Sequence, residues 1–117
     1  FGVWLNTWAT TDGRIRVYTG DGADQDGASS TAGVYNNGLW NHIVIVYEGS
    51  GVWTIYVNDS DVTDDSSTQD DFARSGNTTM IGNWSSLDFS GDGQYDGFRI
   101  YKKALTSSEV SAIYAEY

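Results

Sequence analysis

A chain of 117 residues, 39% hydrophobic and 15% aromatic, suffices for one domain around a single core. It has no cysteine, so its stability must come from packing, a metal or association. The net charge of −10, with thirteen Asp against three Glu, places the acid in loops and argues against nucleic acid, and no apolar run nears the ~20 residues of a membrane-spanning helix.

The chain opens at Phe1 without a basic-then-apolar signal segment, and residues 1–117 are expected to be a single domain, the C-terminal part of a longer chain or domain. FGVWLNTW (1–8) and RIRVYT (14–19) alternate with the two-residue period of strands, with the TDG turn (11–13) between them. GDGADQDGASSTAG (20–33) is a loop by composition. LWNHIVIVYE (39–48) is apolar on both faces, as a central strand covered on two sides should be, and EGSG turns it into VWTIYVND (52–59) to complete a hairpin. Residues 60–77 are rich in Asp, Ser and Thr, with a short strand expected near Val62, and the acidic stretch from Asp59 to Asp71 reads as solvated. TTMIGNW (78–84) and QYDGFRIYKK (94–103) supply the closing strands. Short strands at regular spacing predict a β-sandwich or jelly roll.

The chain then ends in a helix over 106–115. Thr106-Ser107-Ser108-Glu109 is a capping box, in which hydroxyl and carboxylate each satisfy an orphan amide of the first turn. Leu105 and Val110 form a hydrophobic staple, and Val110, Ile113, Tyr114 and Tyr117 share one face. A helix of about ten residues is marginal alone in water, so it must lie on the sandwich.

These elements carry a resemblance. Trp40, His42, Tyr56-Val57-Asn58, Asp96, Arg99-Ile100-Tyr101 and Ala104-Leu105-Thr106 resemble, in order and spacing, the motifs of the laminin-G-like branch of the concanavalin A-like lectin/glucanase superfamily. The resemblance implies an all-β, concanavalin A-like jelly-roll sandwich with one short C-terminal helix. It also implies that the family's first strands are missing before Phe1, so that a neighbouring segment, chain or second copy would complete the sandwich. Asp59 stands where the family has glycine, which is tolerable because Asp accepts turn geometry.

Candidate sites follow. The resemblance places Asp96 where the family holds a structural Ca²⁺, and GDGQYDG adds Asp92 and loop carbonyls to the oxygen-rich set that ion requires; alternatively Asp96 caps loop amides. DGADQDG (21–27) has alternating Asp but lacks the distal bidentate Glu of a calcium loop. His42 is the only histidine, so a transition-metal site is not expected; it reads as a structural hydrogen-bonding residue and Trp40 as a packed rim residue. No strand carries the alternating carboxylates of a glucanase, and no serine or threonine has a matched histidine and acid, so catalysis is not expected.

The remaining inventory is five Trp and eight Tyr, more than a core of this size readily hides. Trp4, Asn6 and Trp8 fall on one face of the first strand and Arg14, Arg16 and Tyr18 on one face of the next, with Tyr35 and Trp84 in loops. Flat rings stack on sugar C–H faces and polar groups bond hydroxyls, so these eight residues are the expected carbohydrate or glycan surface; the alternative is that Trp4 and Trp8 are core. Two functions are therefore expected of an extracellular, cell-surface or virion-surface protein: non-catalytic carbohydrate binding or adhesion, or a structural, decorating role through protein–protein contacts.

Overall fold

The computed structural model describes residues 2–5, 12–19, 26–35, 38–66 and 93–117. Seven strands and one helix occur among them: β1 (Gly2–Leu5), β2 (Ile15–Thr19), β3 (Asp26–Ser30), β4 (Ile43–Gly49), β5 (Val52–Val57), β6 (Ser60–Asp61), β7 (Thr63–Ser66) and α1 (Ser107–Tyr114). They form two antiparallel sheets, one in the order β1-β2-β3-β7 and the other β4-β5-β6.

The two-residue period decides what lies between the sheets. Ile15 and Val17 of β2 and Ala28 of β3 are buried in one cluster with Trp53, Ile55 and Val57 of β5. Ile43, Ile45 and Tyr47 pair across the ladder with Val57, Ile55 and Trp53 and pack against the same cluster. The Tyr47 and Trp53 rings meet at 4.6 Å between centroids. Fully burying each such aliphatic side chain contributes about 1.5–3 kcal/mol, which makes this layer the main source of stability. The fold is thus the all-β sandwich with a short C-terminal helix that the sequence predicts.

The β4–β5 hairpin forms as expected. Its turn runs through left-handed Gly49, Ser50 and Gly51, with a register shift between Tyr47 and Gly49. The next turn is tighter: Val57 pairs with Ser60, leaving Asn58 and Asp59 as a two-residue loop with φ of 49° and 69°. Two left-handed residues are what a type I′ hairpin requires, and Asn and Asp tolerate them. Asp59 therefore does accept the turn.

Three expectations need correction and a fourth is met in part. The presumed loop 20–33 contains β3, which pairs with β2 on one side and β7 on the other. Its DGASS sequence lacks the large alternating side chains that announce a strand, yet small residues fit a sheet interior when both neighbours satisfy the backbone. The acidic stretch after Asp59 is exposed at Asp61, Asp64 and Asp65 and supplies the short strand expected near Val62, but it is more ordered than expected, running through Ser66 as β6 and β7. β4 is not a central strand among the described residues, where it pairs with β5 alone, although Val46 is buried on the face opposite Ile45. Finally, 94–103 forms no strand, and Tyr95, Phe98, Ile100 and Tyr101 are exposed. The expected strand at 78–84 lies outside the described residues.

The helix follows its sequence signals. Thr106 is the N-cap: its Oγ1 accepts from Glu109 N, while Glu109 Oε2 accepts from Thr106 N at 2.9 Å. Val110 is completely buried, and Leu105 is half-buried just before the cap.

Candidate functional site

Arg14 and Arg16 flank buried Ile15 on β2, and their charges are already engaged. Arg14 Nε and Arg16 Nη2 both donate to Asp12 Oδ2 at 3.1 Å, and Arg14 Nη1 donates to Asp64 Oδ2 at 2.6 Å and Ser30 O at 2.7 Å. The cluster fastens the β1–β2 turn to β3 and β7. Beneath it, Gly33 N donates to Asp12 O and Tyr35 N to Gly13 O. Gly13 has φ +70°, and a Cβ there would lie 3.0 Å from Gly33 Cα, so only glycine fits. Tyr35 is half-buried and packs against the inter-sheet cluster.

Of the remaining expected sugar-binding residues, Trp4 lies on β1 opposite Arg16, and Tyr18 on β2 opposite Gly2. Only their strand positions are described. Asn6, Trp8 and Trp84 lie outside the described residues, as does Asp92 of the expected calcium pair. Asp96 caps its own loop: its Oδ1 accepts from Gly97 N at 2.7 Å. Among the described residues no three His, Cys, Asp or Glu side chains group to hold a metal. Of the loop 21–27, Asp26 and Gly27 belong to β3.

A different surface gathers at the end of the sandwich where β4 begins. Trp40 is 68% exposed and Leu39 70%, contrary to the packed rim position expected of Trp40. Two residues on, the His42 ring lies against Tyr114 and Tyr117 of the helix and its tail, at 5.6 and 5.5 Å. Tyr117 in turn covers Gly97, where a Cβ would run into the phenol oxygen. Arg99 stacks 5.9 Å over the Tyr117 ring and pairs with Glu116 at 2.8 Å. Gly97 and Arg99 thus tie the 95–101 segment to Tyr117, and within it Phe98 is 63% and Ile100 77% exposed. The sequence signal for this surface was the Leu39-Trp40 pair beside Gly38, masked by its reading as the start of a strand.

The expected hydrogen bond of His42 is a backbone one: its N donates to Asn58 Oδ1 at 2.9 Å, and its O accepts from Asn58 N at 2.9 Å. The imidazole makes ring contacts, and its Nδ1 is buried without a hydrogen-bond partner. Burial pushes the imidazole down from its ordinary value; nearby Asp59 opposes that shift and Arg99 adds to it.

The family model of a laminin G group within the concanavalin A-like lectin/glucanases superfamily matches residues 2–111. No curated protein matches the chain. A solved structure with the same fold is that of an S-layer domain-containing protein (residues 221–444) from Clostridium thermocellum ATCC 27405, with a TM-score of 0.56 and 20% identity. The match covers 91% of this chain and 54% of that one, so the chain spans about half the length of its structural neighbour. No helix among the described residues is long and apolar enough to cross a membrane.

Proposed function

Because the chain belongs to the concanavalin A-like lectin/glucanases superfamily, we propose that it is a non-catalytic adhesion module of a cell surface, with the exposed apolar end around Trp40 as its contact face. The observation that carries this reading is the exposure of Leu39, Trp40, Phe98 and Ile100, each more than half open to solvent, in an otherwise acidic domain. Exposed apolar side chains in such numbers mark interaction sites. The non-catalytic part is supported by the engagement of several acids among the described residues. Asp12 and Asp64 hold arginines, Asp59 accepts from Ser111 Oγ, and Asp61 accepts from Thr63. Glu109 closes the helix cap and Glu116 holds Arg99. The S-layer domain-containing neighbour supports a surface setting.

A mixture of indole, leucine, phenylalanine and isoleucine suits a protein partner better than a sugar, whose hydroxyls need polar groups beside the ring. The carbohydrate reading is favoured by one observation, the open face of the Trp40 indole. Both are tested by applying the protein and Trp40→Ala to purified surface-layer protein and to a glycan array, with light scattering to detect self-association. The variant is expected to fold normally and lose about 2 kcal/mol of binding, roughly thirtyfold in Kd. Unchanged binding by Trp40→Ala would move the contact face elsewhere. A monomer that binds neither protein nor glycan would overturn the adhesion reading.

A further inference from the structure

Three elements meet at one imidazole. His42 precedes β4; the Asn58-Asp59 turn closes β5 onto β6; and α1 with its tail presents Tyr114 and Tyr117. Ser111 Oγ on the helix donates to Asp59 Oδ1 at 2.7 Å, which ties the helix to that same turn. Arg99, reaching in from the segment before the helix, is held by Glu116 and the Tyr117 ring.

We propose that His42 is a proton-operated latch, neutral when α1 is docked on the sandwich and releasing it when protonated. The reasoning starts from Nδ1, which is buried and has no acceptor. With none in reach, the neutral ring carries its proton on Nε2. A second proton would create an N–H at buried Nδ1 where nothing accepts it and would charge a partly buried ring beside two phenols. The groups facing the ring divide. Asp59 favours the charged form, but one of its oxygens is occupied by the Ser111 hydroxyl, and Arg99 disfavours it. Of the ring faces beside it, that of Tyr117 already carries the Arg99 guanidinium, and Glu116 is occupied by Arg99. Desolvation outweighs Asp59, in agreement with the downward direction of the shift. The sign follows: docking is fully favourable above the ordinary histidine range and is lost as pH falls through that range toward the depressed value. Val110 leaves its buried position when α1 lifts.

The test uses the whole protein between about pH 7.5 and about pH 5, a window in which His42 is the only side chain expected to change charge. The sole imidazole C2–H resonance should titrate below 6.5, with the Tyr114 and Tyr117 ring signals shifting at the same midpoint. Amide protection at Val110 and Ala115 should fall across the window, by up to about tenfold for each unit of depression. His42→Phe, which keeps a ring between the tyrosines, should remove that fall. An imidazole midpoint at or above 6.5 overturns the latch, as does an undiminished fall in His42→Phe. If that variant does not fold, the parent's titration decides alone.

Discussion

Ser30 illustrates how much one side chain can settle. It is fully buried, its Oγ accepts from Ile15 N at 2.9 Å, and the same hydroxyl donates to Thr31 O at 2.9 Å. One hydroxyl thus satisfies the buried Ile15 amide and the Thr31 carbonyl where the β3–β7 register shifts. Ser30→Ala should cost about 1–3 kcal/mol, since it orphans the Ile15 amide in a dry place. Denaturant unfolding measures it, and a change within a few tenths would mean that water takes over the bond. Nothing in the run of small residues singles this serine out, because its importance comes from a partner fifteen positions away. The Asn58-Asp59 turn is the opposite case: two residues that tolerate left-handed backbone between alternating apolar strands are readable locally.

Among the elements, α1 is the one whose boundaries follow from sequence, because a capping box is a contact between residues three apart. Thr106→Ala should lower stability by about 1 kcal/mol, read as a drop in melting temperature; an unchanged melt would show that the helix does not support the fold. The other half of the box is pH-sensitive. The Lys103 ammonium and the Thr106 amide hold Glu109 below the usual carboxylate range. That support is present at neutral pH and is lost as pH falls through the depressed value. Helix content should therefore decline at a second, more acid step than the His42 transition, and Glu109→Gln should remove that step. β3 and the 94–103 segment show why neighbouring elements were harder to read. A strand of small residues is specified by the two strands that flank it. The alternating QYDGFRIYKK has the right period but forms no ladder, since alternation supplies a face and not a partner.

For the whole molecule, the superfamily and the sandwich were legible because hairpin and capped helix are local signals separated by a fixed spacing. The contact face was not, because exposure is a property of the assembled surface. Trp40 reads the same in sequence whether it packs or protrudes. Arg14 and Arg16 look available until Asp12 and Asp64, four or fewer positions away and fifty away, are folded against them. A calcium ion held by Asp92 and Asp96 is a whole-molecule question too, since an ion that binds only the folded state raises its stability. Asp96→Asn keeps an acceptor for Gly97 N and weakens a metal ligand. It should melt as the parent does in chelator, and any gain the parent shows in calcium should vanish in the variant. Equal melts of the parent with and without calcium would assign Asp96 to its loop cap alone.

Val62 lies between β6 in one sheet and β7 in the other, donating its N to Ile55 O at 2.9 Å while its O accepts from Thr31 N at 2.8 Å. The two layers are therefore stitched at Val62, and by Ile55 N donating to Thr63 Oγ1 at 2.9 Å, as well as glued by side chains. Sliding one layer past the other would break at least one of these bonds, with little slack in the chain to absorb the motion. Under tension, such a seam is expected to yield abruptly instead of stretching, which would suit the adhesion role proposed above.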